Sequence, residues 1–147
     1  GVSAMKQVLR VTGILMLLLV AGTTRAGNTD GMTATLTQVV QDKLSAFNRE
    51  DVSGTLQNIH SRSPQYSNMQ QALTIEFEAL DARTELVSLY YIGHDDEFAV
   101  ARVKLKTVDN SGKPFADNMI DTIAVFHQED GTWKYWSHHV LGVEIVE

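Results

Sequence analysis

From Thr33 onward, apolar side chains recur at helical spacing: Leu36, Val39, Val40, Leu44 and Phe47, with Lys43 on the same stripe. Gln38, Gln41, Asp42 and Ser45 fall between them, so the segment predicts an amphipathic helix with one buried face. Asn48-Arg49-Glu50-Asp51 interrupts the pattern. The acids there suit the start of a second, short helix, whose buried face is Val52, Leu56 and Ile59. Gly54 inside it weakens that helix. The run His60-Ser61-Arg62-Ser63-Pro64 ends it, because Pro64 disfavours helical geometry at Ser63. A third helix follows over roughly Tyr66 to Leu80, with Met69, Leu73, Phe77 and Leu80 on one stripe.

Past Asp81-Ala82 the period changes from helical to alternating. Thr84 to Ile92 predicts a first strand and Gly93-His94-Asp95-Asp96-Glu97 its polar turn. Phe98 to Val108 is a second strand, with Ala99, Ala101, Val103 and Leu105 on one face and Arg102, Lys104 and Lys106 on the other. The turn Asp109-Asn110-Ser111-Gly112-Lys113-Pro114 leads to a third strand, Phe115 to Gln128, with room for a bulge. Asp130-Gly131 marks a tight hairpin, and Thr132 to Val146 is a long last strand. Three helices followed by a four-stranded antiparallel meander predict an α+β fold, with the helices packed on one face of a curved sheet.

The N-terminal stretch departs from this. Lys6 and Arg10 precede an almost wholly apolar run, Val11 to Val20, and small residues follow as far as Ala26. A bilayer span needs ~20 apolar residues, so this run is short for an anchor. The order of charge, apolar run and small residues is that of a secretory signal cleaved near Ala26. An uncleaved anchor or a buried helix is the competing reading. The expected organisation is a signal segment over 1–26, a loose leader over 27–32 and one domain over 33–147. Residues 1–4, ahead of Met5, are an upstream extension or a cloning remnant. The expected location is periplasmic or secreted, without a stable membrane anchor after cleavage.

Composition sharpens this picture. Hydrophobic residues make up 44% of the chain and charged ones 20%, as in a globular domain. Loss of Lys6, Arg10 and Arg25 leaves nine basic residues against 18 acidic ones, which opposes binding to nucleic acid or anionic lipid. There is no cysteine, hence no disulfide, thiol nucleophile or thiolate metal site. His94-Asp95-Asp96-Glu97 lacks EF-hand and zinc spacing and is expected to be a turn rather than a metal site. No phosphate-binding glycine loop or nucleophile elbow is present, and no cofactor is expected.

The closing hairpin, Asp121 to Phe126 and then Asp130-Gly131-Thr132-Trp133-Lys134-Tyr135, resembles that of the SnoaL-like, nuclear-transport-factor-2-like superfamily. The order of elements resembles it over nearly the whole of 33–147. The resemblance implies a cone-like α+β barrel of cystatin-like fold, with a pocket between the helices and the concave side of the sheet. It also implies no single function, because the superfamily holds isomerases, dehydratases and hydrolases as well as binding and interaction proteins. The isomerase set of a pocket Asp facing a Tyr and a protonated Asp does not align here.

His138-His139 on the last strand point to opposite faces, so they do not chelate one metal together. If Trp133 and Tyr135 face inward at strict alternation, so do Ser137, His139 and Leu141. His139 with Asp121 is therefore the candidate catalytic pair, a base and an acid on neighbouring strands. The plainer reading is a cross-strand polar pair on a wet face. Tyr91, Arg102, Asn118, Trp133 and Tyr135 are the candidate ligand contacts. Arg102 with Lys104 and Lys106 could receive a carboxylate ligand, but a solvated strand face balanced by neighbouring acids is the favoured reading of the stripe.

The leading expectation is a domain that binds a small apolar or amphipathic ligand in the cone. The alternatives are a cofactor-independent isomerase, dehydratase or hydrolase using Asp121 and His139, and a protein-interaction module. A homodimer through the exposed sheet face is expected, with Trp136, Val140, Val143 and Ile145 supplying apolar area.

Overall fold

The computed structural model describes residues 29–146, and the expected signal segment lies outside the described residues. Helix α1 spans 29–48, four residues longer at its start than the apolar period suggests. Its stripe is buried as expected, Leu36 and Val40 completely. Full burial of each such side chain contributes ~1.5–3 kcal/mol. At its end Glu50 takes a left-handed φ of 58°, and Asp51 N–H donates to the Ala46 carbonyl at 3.0 Å.

Asp51 then caps α2 (Val52–Leu56), its carboxylate accepting from Gly54 N–H at 2.8 Å. Gly54 fits this cap because a Cβ there would lie 2.3 Å from Asp51 Oδ2. The chain leaves α2 through a turn at Gln57 and Asn58, and Ile59 forms a parallel bridge with Tyr135. Two backbone bonds make it: Tyr135 N–H donates to Asn58 O, and His60 N–H donates to Tyr135 O, both at 2.8 Å. Ser63 accepts from Gln65 N–H at 3.2 Å at the start of α3 (Tyr66–Ala79), and its hydroxyl donates to the Trp136 carbonyl. Phe77 of α3 meets Phe47 of α1, ring centroids 5.3 Å apart.

The sheet is the expected antiparallel meander in the order β1 (Ala82–His94), β2 (Phe98–Asp109), β3 (Asn118–Glu129), β4 (Thr132–Ile145). Asn48 ties α1 to its start: the side-chain amide donates to Thr84 O at 2.9 Å and accepts from Thr84 N–H at 2.8 Å. In the β1–β2 turn, Asp95 Oδ1 accepts from Glu97 and Phe98 N–H at 2.8 and 2.7 Å. The β3–β4 turn places Asp130 and Gly131 at φ 52° and 78°, the left-handed pair that an Asp-Gly hairpin favours. β3 starts at Asn118 rather than Phe115. Its first partner is Thr107, and Asp117 instead accepts Asp109 N–H at 3.3 Å and Val146 N–H at 2.9 Å.

The inner face of the sheet is set by Ala99, Ala101 and Val103 on β2, Thr122, Ala124 and Phe126 on β3, and Trp133 and Tyr135 on β4, all buried. The bulges lie elsewhere than expected. β3 runs without an extra residue, whereas the pairing skips Val87 and Ile92 on β1 and Trp136 and Leu141 on β4. Each skip reverses which face the following residues point to. Residues Thr33–Glu147 form one compact unit. Among the described residues no helix is long and apolar enough to cross a membrane.

Candidate functional site

The Trp136 bulge decides the chemistry of the inner face. Tyr135 lies opposite Phe126, and the next inward position is His138 opposite Ala124, not His139. His139 lies opposite Ile123 on the outer face and is exposed. Asp121 lies on the outer face as well, since its neighbour Thr122 is buried inside. There it is held by Arg102, whose Nε donates to Oδ1 at 3.0 Å and whose Nη2 donates to Oδ2 at 2.5 Å. These bonds hold the Asp121 carboxyl below its ordinary range. The expected Asp121–His139 pair inside an apolar pocket is therefore corrected. Strict alternation failed at one inserted residue, and the acid serves an outer-face ion pair.

Arg102 is likewise an outer-face partner of Asp121 rather than a pocket residue. Tyr91 does face inward, opposite Ala101, with its hydroxyl bonded to His94 Nδ1. His94 meets Trp133 edge-on at 6.2 Å, so Tyr91, His94 and Trp133 form one inner cluster. Asn118 sits at the far end of β3, donating to Ala116 O at 3.2 Å, with its Oδ1 buried and without a protein partner.

A second inner cluster joins α1 to β4. Lys43 projects its ammonium 4.0 Å from the centroid of the Tyr135 ring. The face of the ring stabilises the cation. No carboxylate pairs with Lys43 among the described residues. Burial pushes its amine down to about 8 and pushes the Tyr135 phenol up. Burial also lowers His138, with Lys43 and then His139 adding repulsion. The result is a cation, a phenol and a weakly basic imidazole on the inner side of the sheet. Lys43 carried a signal in the sequence: it is the one charged residue on an otherwise apolar stripe.

A third cluster forms where the α2–α3 loop meets the outer face. His60 is 1% exposed and packs on His127 at 4.5 Å and Trp136 at 5.1 Å, with Phe98 against His127 at 4.3 Å. Its Nδ1 accepts Arg62 N–H at 3.0 Å, and its Nε2 is buried without a hydrogen-bond partner among the described residues. Glu129 Oε2 approaches Nδ1 to 3.4 Å. Glu129 is occupied otherwise: it accepts from the Ser61 hydroxyl, from Ser61 N–H at 3.1 Å and from Lys134 Nζ at 3.0 Å. Those bonds, led by the Ser61 hydroxyl, hold its carboxyl down at about 2. This cluster reads as a clamp between loop and hairpin.

A family model describing the C-terminal domain of the anti-sigma-I factor RsgI9 matches residues 38–146. The chain belongs to that family. No curated protein matches it in sequence. Solved structures similar to this RsgI9-type domain include an uncharacterized protein with a cystatin-like fold from Caulobacter vibrioides. It is 16% identical, with a TM-score of 0.63, covering 78% of this chain and 89% of that one. An NTF2-like protein of unknown function from Pseudomonas putida is 9% identical at TM-score 0.61, covering 76% and 87%. A ketosteroid isomerase-like protein from Erwinia carotovora is 12% identical at TM-score 0.56, covering 75% and 96%. The RsgI9-type domain thus has the NTF2-like, cystatin-like fold that the closing hairpin resembled. At such identities the likeness concerns fold and not chemistry.

Proposed function

We propose that this domain binds a small amphipathic anion on the inner side of its sheet, with Lys43 as the counter-charge and Tyr135 and His138 beside it. The observation that carries this is the Lys43 ammonium resting on the Tyr135 ring without a carboxylate partner among the described residues. A half-buried cation without a counter-ion is costly, and an anionic ligand group offsets that cost. Val39, Val40 and Leu44 flank Lys43 on the apolar stripe of α1, which supports an apolar portion in the ligand. The family's name attaches such a domain to the C terminus of an anti-sigma factor, which supports a role in reporting a ligand rather than in turning it over. The signal-like N-terminal pattern supports a place outside the cytoplasm.

The test is calorimetric titration of the full chain with decanoate and with decanol, which share a tail and differ in charge. Decanoate is expected to bind at least about tenfold more tightly, a difference of ~1.4 kcal/mol. Lys43→Met should remove that preference, while Asp121→Asn, on the outer face, should leave it. Equal binding of the two probes, or binding of neither, overturns the reading.

A further inference from the structure

β4 is an edge strand of the sheet. Among the described residues, the segment after α2 covers its free side at Tyr135, through the Ile59 bridge, and at Trp136, whose carbonyl accepts the Ser63 hydroxyl. Beyond that point, residues 137–145 bond to β3 on one side and to no described strand on the other. The same stretch exposes Val140 and Leu141 at 54% each, Val143 at 61% and Ile145 at 59%. It contains neither lysine nor proline, the residues that commonly blunt such edges. A long, apolar, unprotected edge is a template for another strand.

We propose that the strand it accepts is β4 of a second copy, running antiparallel about a two-fold axis between Leu141 and Gly142. Charge selects this occupant. The open segment carries His138 and His139 near its start and Glu144 near its end. Antiparallel self-pairing sets imidazole against carboxylate at both ends, whereas parallel pairing sets like against like. In this register His139 meets the partner's Glu144, and Val140 meets the partner's Val143.

The faces agree. Val140 and Val143 lie opposite Thr122 and Ile120 on the inner face, while His139 and Glu144 lie opposite Ile123 and Met119 on the outer one. The Leu141 bulge makes this possible, because in a regular strand residues 140 and 143 would point to opposite faces. The bulge thereby gives the edge a two-fold-compatible pattern. The paired copies share one continuous sheet and join their Val140 and Val143 side chains into one apolar strip.

The chain has no native cysteine, so single introduced thiols report proximity cleanly. Leu141→Cys, beside the axis, is expected to cross-link copy to copy with a short bis-maleimide at micromolar protein. Tyr90→Cys, exposed on the outer face of β1, is not. In the Leu141→Cys background, Val140→Lys with Val143→Lys should cut the cross-linked fraction about tenfold by charging the edge. These side chains are more than half exposed, so the fold tolerates the change. Glu144→Arg alone should weaken cross-linking, and adding His139→Glu should restore it.

Cross-linking at Tyr90→Cys in place of Leu141→Cys would mean that copies meet through the sheet face, and overturns the proposal. So does equal cross-linking at both positions, absence of cross-linking at Leu141→Cys, or failure of the charge swap to restore it.

Discussion

The Lys43 ammonium and the Tyr135 ring form a cation–π pair at 4.0 Å that joins the first helix to the last strand. The folded amine has a pKa of about 8, against an ordinary value of 10.5. Between those values the unfolded chain holds more protons than the folded one, so this group makes stability rise with pH. Urea unfolding should show that rise between about pH 8 and about 10.5. Lys43→Met should flatten it and stabilise the domain near neutrality by about 1–2 kcal/mol, the desolvation cost reduced for partial exposure. A Lys43→Met chain less stable at neutral pH would show that the ring contact outweighs desolvation.

The two adjacent histidines should behave unlike each other. His138 is lowered first by burial and then by Lys43 and His139. NMR titration of the imidazole protons should place it below an ordinary histidine, and Lys43→Met should move it up. Diethylpyrocarbonate should modify exposed His139 before His138. Simultaneous modification would place both on one face and contradict the phase change at Trp136.

Acid should loosen the loop clamp within a defined window. The Glu129 carboxyl sits at about 2 when folded, against an ordinary value of 4.5. Its contribution is therefore fully present above about pH 4.5 and is lost as pH falls toward about 2. Glu129→Gln should cost about 1–2 kcal/mol near neutrality, by weakening charge-assisted bonds from Ser61 and Lys134. It should also lower the acid sensitivity of urea unfolding in that window. An unchanged pH profile would assign the acid response to other carboxylates.

Gly54→Ala should invert the usual helical preference. Alanine normally stabilises a helix interior by ~1 kcal/mol relative to glycine. Here its Cβ would lie 2.3 Å from Asp51 Oδ2 and 3.2 Å from Ala46 Cβ. Displacing the cap should cost about 1–2 kcal/mol. The penalty should shrink in an Asp51→Ala background, where the clashing carboxylate is gone. Equal penalties in the two backgrounds would place the strain at Ala46.

The period of apolar residues carried most of the architecture. Element order, the Asp-Gly hairpin and the buried faces of α1 and the central strands all follow from spacing alone. What spacing does not carry is the position of an inserted residue. The Trp136 bulge costs one extra residue and leaves no compositional mark, yet it puts His138 in place of His139 on the inner face. Arg102 and Asp121 were visible as charged positions, but only the β2–β3 register makes them partners. Lys43 was visible as a charge on an apolar stripe, and its significance depended on knowing that Tyr135 lies beneath it. His60 was hidden in a helix-breaking run. Its burial depends on the α2–α3 loop adding itself to the edge of β4, a long-range pairing without local signature.

That pairing also bears on the order in which the molecule is assembled. The Ile59–Tyr135 bridge and the Lys43–Tyr135 contact tie the first half of the chain to its final hairpin. During synthesis the helices emerge first, while the strand that completes their packing is made last. The helical half must therefore wait with its apolar stripe uncovered until the C-terminal hairpin arrives, an interval in which a chaperone has something to hold.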